Sequence, residues 1–327
     1  MVKSADRYCV KVIKMNKIQF GDCRDIMRQW AVDGVKAQMC VTSPPYFGLR
    51  DYGVDGQIGL EQTPEQYIAA MVEVFRCVRD VLADDGVLWL NLGDSYGSVG
   101  GNTYAGFNER WSGTGGAGSK QDATLSGVTD RKISTGLKPK NLLGIPWRVA
   151  LALQEDGWIL RQDIIWHKPN PMPESVRDRC TKAHEYMFLL SKSERYFFNS
   201  EAMKEKAAGV RGGAPKKIHS ESAQGKHGAT SALNKSWDGA ETRNRRSVWT
   251  VASSRYKGAH FATFPPALIE PCILAGSRVG DVVLDPFMGS GTTAMVAANL
   301  GRQYLGCELN ERYRDLQNER MASVLVR

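Results

Sequence analysis

The chain of 327 residues is most informative at first through what it lacks. No apolar run approaches the ~18 residues that cross a bilayer, which excludes a helical membrane protein. The stretch from Met1 to Phe20 mixes Lys, Arg and Asp with short apolar runs and has no signal-peptide core. The seven cysteines (Cys9, Cys23, Cys40, Cys77, Cys180, Cys272 and Cys307) never form C-x-x-C. That argues against a disulfide framework or a zinc site and for a reducing cytoplasm, with no metal expected. No internal repeat is visible, and no glycine-rich turn carries the lysine of a P-loop. Hydrophobic residues at 42% and charged residues at 24% exclude a disordered or collagen-like chain. The length allows two domains, or one large α/β domain with a long insertion.

Charge is present but uneven. Lys and Arg number 43 against 35 Asp and Glu, a formal net charge of +8. Residues 201–257 hold 12 of those cations and only five acids, so nearly the whole excess lies there. The segment is rich in Gly, Ser, Ala and Asn. Taken alone it reads as a solvated insertion, and with a polyanion in view as a phosphate-contacting surface. Arg243, Arg245, Arg246, Lys216 and Lys217 are its candidate contacts. A second irregular stretch, Gly97–Gly118, carries eight glycines and reads as a mobile loop, the first part of a wider irregular region over 97–140.

Elsewhere strand and helix patterns alternate. Lys17–Phe20 leads through Gly21-Asp22 into a helix pattern, and Ala37–Thr42 is a strand ending at Ser43-Pro-Pro-Tyr46. Thr63-Pro64 opens a long helix, and Val87–Leu92 is a further strand. Ile159–Trp166 and Tyr186–Leu190 read as an antiparallel pair. Val282–Leu284, a helix pattern over Ala294–Leu300, and Gln303–Glu308 complete the series. Such alternation predicts a doubly wound α/β sheet.

Two constellations carry chemistry. The first is Asp285-Pro-Phe-Met-Gly-Ser-Gly-Thr-Thr293 followed by Glu308 at the end of the next strand. A strand that ends in a glycine-rich turn and opens a helix puts bare backbone beside a ligand, and a carboxylate after the following strand suits ribose hydroxyls. Asp285 would repel a pyrophosphate and suits a ligand with an ammonium group. S-adenosylmethionine combines that group with a ribose and an adenine. The second is Thr42-Ser-Pro-Pro-Tyr-Phe47 at a strand's C-terminal end, where open α/β sheets place their active sites. Ser43 offers an acceptor, Pro44 a carbonyl and Tyr46 a ring face, with Pro45 stiffening the turn. Together they suit a planar base that bears an amino group.

These two motifs resemble those of the β-class DNA amino-methyltransferases, in which the catalytic tetrapeptide precedes the cofactor motif and the acceptor is N4 of cytosine or N6 of adenine. Trp166-His-Lys-Pro-Asn170, His184-Glu185 with Ser191-Lys192, and His260-Phe-Ala-Thr-Phe-Pro265 resemble further segments of that family. The likeness fails over Gly97–Lys140 and Glu201–Lys257. It implies a Rossmann-like methyltransferase fold, a mixed seven-stranded sheet with one antiparallel strand and circularly permuted motifs. Residues 1–200 would be the catalytic half, 201–257 a target-recognition insertion, and 258–327 the cofactor half. It implies S-adenosyl-L-methionine held by Asp22, Thr42, Ser43, His260, Phe264, Asp285, Pro286, Phe287, Gly289, Ser290, Gly291, Thr292, Thr293 and Glu308. The partner implied is double-stranded DNA, bound by a monomer or homodimer of a bacterial or phage restriction-modification system, with a cognate restriction endonuclease. Ser43, where other members carry Asp, favours N4 of cytosine over N6 of adenine. A DNA-binding protein that keeps the fold without activity, and a dinucleotide oxidoreductase, stay open as alternatives.

Overall fold

The computed structural model describes residues 15–97, 136–207, 241–253 and 264–325. His260, Lys216, Lys217, most of the 97–140 loop and most of the basic segment 201–257 lie outside them. The strands are β1 (Lys17–Phe20), β2 (Ala37–Thr42), β3 (Leu82–Leu92), β4 (Ile159–His167), β5 (His184–Ser191), β6 (Lys204–Lys206), β7 (Thr242–Asn244), β8 (Val248–Thr250), β9 (Val282–Asp285) and β10 (Gln303–Glu308). The helices are α1 (Cys23–Val32), α2 (Pro64–Val81), α3 (Ile145–Glu155), α4 (Pro266–Gly276), α5 (Thr292–Asn299) and α6 (Arg314–Leu325).

The main sheet runs β1-β10-β9-β2-β3-β5-β4-β8. Only β5 opposes the rest, antiparallel to both β3 and β4. The expected doubly wound, mostly parallel sheet is therefore present, with one strand more than the seven expected. The extra strand is β8, which pairs parallel with the end of β4 from Ile165↔Val248 to His167↔Thr250. Three residues within a basic segment give no periodicity to read. Buried Trp249 pins the strand, its ring 6.2 Å from that of Trp89. β6 and β7 form a separate two-stranded sheet.

Side chains alternate between the two faces of the sheet, as a pleated strand requires. Leu88, Leu90 and Leu92 of β3 join a core with α1, α2 and α3, whereas Val87 and Trp89 join one with α4 and α5. Local signals set the helices. The Thr63 hydroxyl accepts the Gln66 amide at 3.3 Å and Pro64 occupies the first turn of α2. Tyr67, Met71, Val74, Phe75 and Val78 then share its buried face at helical spacing. The start of α3 has no cap of its own, and Asp94, beyond the end of β3, accepts the Ile145 amide at 3.1 Å. Among the described residues no helix is long and apolar enough to cross a membrane.

Chain order reverses at the centre of the sheet. From β9 the chain moves to β10 on one side, and from β2 to β3 on the other, while β9 and β2 lie side by side through Met39↔Val283 and Cys40↔Leu284. That junction opens a crevice at the strand ends. It also makes Leu284 a central residue with no exposure. Leu284→Ala should lower the unfolding free energy by roughly 2–5 kcal/mol, whereas Val32→Ala, on a residue 82% exposed, should stay within about 0.5 kcal/mol. Urea denaturation of both variants tests this; a similar small effect in each would show that β9 does not sit in the core.

Candidate active site

The crevice at the strand ends holds a cavity of about 630 Å³. The turns after β9 and β2, the end of β10 and the late strands β4 and β5 all contribute to its wall.

The glycine turn is tied from beneath. Gly289 and Gly291 have φ of +54° and +84°, the left-handed region that other residues enter only at a cost. The Asp285 carboxylate is 1% exposed and does not reach the cavity. Its Oδ1 accepts the Thr42 hydroxyl at 2.6 Å and the Phe287 amide at 3.0 Å. Its Oδ2 accepts the Thr293 hydroxyl at 2.6 Å. Burial pushes its pKa up to about 6, against the pull of the two hydroxyls and the amide. Expected from the sequence to meet a ligand's ammonium group, the carboxylate here holds the turn and the tetrapeptide together from inside. Thr42, Ser290, Gly291, Thr292 and Thr293 also lie behind the wall rather than on it.

Glu308 does face the cavity. Its Oε2 accepts the Gly289 amide at 2.7 Å and its Oε1 the Asn310 amide at 2.8 Å. Burial pushes its pKa up to about 7, with those amides pulling down and Asp285 adding to the rise. Pro286, Phe287, Gly289 and Phe264 stand on the same wall. Asp22 is there too, but it caps α1 through the Arg24 amide at 2.8 Å and pairs with the Arg24 guanidinium at 2.5 Å.

Ser43, Pro44, Pro45 and Tyr46 all line the cavity. Tyr67, buried on α2, donates its hydroxyl to the Pro45 carbonyl at 2.8 Å, which fixes the turn and leaves the Pro44 carbonyl to other donors. The Tyr46 ring rests where Gly93 has no side chain; a β-carbon there would fall 2.5 Å from Cε2. The Tyr46 hydroxyl lies 2.7 Å from Glu185 Oε2, 3.1 Å from Asn91 Oδ1 and 3.4 Å from Ser43 Oγ. Burial, and then the Glu185 charge, holds the phenol well above its ordinary value, so it stays protonated. Lys168 pairs with Glu185 Oε1, and its ammonium sits 4.2 Å from the centre of the Trp166 ring.

Part of the wall was not legible in the sequence. Leu49, Arg50, Tyr52, Val54, Gln57 and Ile58 come from the segment between β2 and α2 and form part of the cavity wall. Tyr313 and Asn310 close it from beyond β10. Of the described arginines expected at a DNA surface, Arg243 and Arg246 share Glu205 at 2.8 and 2.9 Å. Arg245 lies 4.5 Å from the centre of the Trp249 ring.

Comparison with known proteins places this arrangement. The sequence profile of a DNA methylase family, the N6 and N4 methylases, matches residues 37–319. The chain is 46% identical over 310 residues to the type II methyltransferase M.SmaI of Serratia marcescens, covering 93% of this chain and 90% of that one. It is 44% identical over 301 residues to M.Cfr9I of Citrobacter freundii, covering 92% and 86%. Among solved structures it shares its fold with the cytosine-N4-specific PvuII DNA methyltransferase, with a TM-score of 0.58, 16% identity and coverage of 94% and 89%. It also shares it with M1.HpyAVI in complex with S-adenosylmethionine, with a TM-score of 0.51, 19% identity and coverage of 93% and 98%.

Glu308 makes the geometry testable. Its ordinary value is 4.5 and its folded value about 7. A carboxyl raised on folding stabilises the protein fully below its unfolded pKa, and that contribution is lost as pH rises through the folded one. Relative to Glu308→Gln, the wild-type chain should therefore lose roughly 3 kcal/mol of stability between about pH 5 and pH 8. Parallel pH profiles in urea denaturation would place Glu308 in solvent.

Proposed function

The chain belongs to the DNA methylase family of N6 and N4 amino-methyltransferases. From that premise we propose that it transfers a methyl group from S-adenosyl-L-methionine to the exocyclic amino group of a base in double-stranded DNA, with N4 of cytosine as the acceptor. The observation that carries this reading is that Ser43–Tyr46 and the Gly289–Glu308 wall open into one cavity.

The cavity suits the cofactor. Glu308 offers carboxylate lone pairs for ribose hydroxyls, and Pro286, Phe287 and Leu309 offer apolar surface for a purine. When bound, S-adenosyl-L-methionine supplies an electrophilic methyl group on a sulfonium. The Asp285 carboxylate serves it through the shape of the turn. On the opposite wall, Tyr46 gives a ring face on which a base flipped from the duplex stacks. Ser43 Oγ and the Pro44 carbonyl accept the two amino N–H bonds. These bonds turn the nitrogen lone pair out of conjugation with the ring, so that in-line displacement follows from positioning. The carbon–sulfur bond breaks as the carbon–nitrogen bond forms, and the surplus proton on nitrogen then passes to solvent water.

Cytosine is favoured by two features. Ser43 presents a neutral hydroxyl where a carboxylate would accept more strongly. The Watson–Crick edge of cytosine carries two acceptors, N3 and O2, where that of adenine carries only N1, and Lys168 stands on the cavity wall as a donor. Nucleoside mass spectrometry of DNA incubated with the protein and cofactor tests the assignment: N4-methylcytosine is the expected product. N6-methyladenine as the sole product would move the acceptor to adenine and leave amino-methylation standing.

The basic segment 201–257 supplies DNA contacts in this reading, and the type II relatives support a role beside a restriction endonuclease. Arg243 and Arg246 hold Glu205, which makes Lys216 and Lys217 the better probes. Replacing both with Gln should reduce the slope of log affinity against log salt by about 2, near 0.9 for each phosphate no longer neutralised. An unchanged slope would make the segment a solvated surface.

A further inference from the structure

A hydroxyl that must accept hydrogen bonds from an amino group has a difficulty that a carboxylate lacks: it carries a proton of its own, and that proton must point elsewhere. At Ser43 the surroundings supply the direction. The carboxylate of Glu185, near the start of β5, accepts only. Its Oε1 is engaged by Lys168, and its Oε2 lies 2.7 Å from the Tyr46 hydroxyl and 3.3 Å from Asn91 Nδ2. Asn91 is oriented in turn by donating to the Tyr186 carbonyl at 3.0 Å. Tyr46 has one proton, and the nearer, charged acceptor takes it, because charge-assisted hydrogen bonds are roughly twice as strong as neutral ones. Its other close neighbour, Asn91 Oδ1 at 3.1 Å, is also an acceptor. The Tyr46 oxygen is then left with lone pairs, and the donor that meets them is the Ser43 hydroxyl at 3.4 Å. That distance is long, as catalytic hydrogen bonds often are before substrate closes the site.

We propose that Glu185 is a positioning residue for methyl transfer: through Tyr46 it turns the Ser43 proton away from the cavity and leaves the Ser43 lone pairs to the amino group of the target base. Without the carboxylate, Tyr46 is free to donate to Ser43 Oγ and occupy the acceptor that the amino group needs. Glu185 borders the cavity, and in this proposal it acts on the base through Tyr46 and Ser43. The inference rests on the reading that Ser43 holds the target amino group, and it adds the device by which a serine performs that task.

The test uses the full chain, with duplex DNA containing the methylated site and S-adenosyl-L-methionine. Glu185→Gln keeps the shape of the side chain but offers an N–H, so the hydrogen-bond direction is no longer fixed. Its kcat should fall about tenfold, the worth of one ordinary hydrogen bond. The KM for DNA, the calorimetric affinity for cofactor and the thermal midpoint should stay near wild type. Tyr46→Phe keeps the ring for stacking and removes the relay, and its kcat should fall to a similar extent. In the Tyr46→Phe background, Glu185→Gln should cost little more, because both changes break one chain of bonds. A Glu185→Gln protein with wild-type kcat, or losses that add in full in the double variant, would overturn the proposal. If Glu185→Gln does not fold, Tyr46→Phe decides alone: wild-type kcat would overturn the proposal. A wild-type chain that methylates no DNA would instead defeat the functional reading itself.

Discussion

One hydrogen bond joins the two halves of the site. Thr42 closes β2 and Asp285 closes β9, and their side chains meet at 2.6 Å across 243 residues of sequence. The catalytic turn and the glycine turn begin at the next residue on either side. Because Asp285 also accepts Thr293 and the Phe287 amide, the same carboxylate fixes the first turn of α5 and the bend that carries Phe287 to the cavity wall. A buried carboxylate costs stability unless donors surround it, and here the donors come from three separate segments. The spacing between the two turns is thus set by a contact buried inside the fold.

This explains why sequence reading identified the parts but not the bond that joins them. Asp285 stands where a ligand acid is expected, and its near neighbours Phe287 and Thr293 take only part of its accepting capacity. The decisive partner, Thr42, lies in the other half of the chain. Strands were legible because a doubly wound sheet buries continuous aliphatic runs, such as Ala37–Thr42 and Val282–Asp285. α2 was legible because Thr63 and Pro64 announce its start. α3 was not, because its cap is Asp94, about fifty residues upstream. The cover from 47 to 61 was missed for a related reason: it has no periodicity, and it is ordered by local bonds such as Gln57 to the Arg50 carbonyl at 3.0 Å.

The polar groups of the cavity divide by what holds them. Beside the glycine turn the groups are acids held by backbone amides. Beside the tetrapeptide they form a chain from Ser43 through Tyr46 and Glu185 to Lys168, ending on the face of Trp166. The acids of the first group are fixed by the backbone, and the second group is fixed by side chains alone.

The position of β9 has a consequence for how the chain is made. It is a central strand, flanked by β2 and β10, yet its Asp285 is made 243 residues after Thr42 of β2. Until it emerges, β2 presents an unpaired edge in the middle of what will become the core, and β1 has no neighbour at all, since its partner is β10. At roughly 5–20 residues per second, about 12–50 s of translation separate Thr42 from Asp285. Through that interval the N-terminal half is an open sheet with an adhesive edge. Its solubility at birth therefore rests on whatever shields β2, and the last strands act as the latch that ends the exposure.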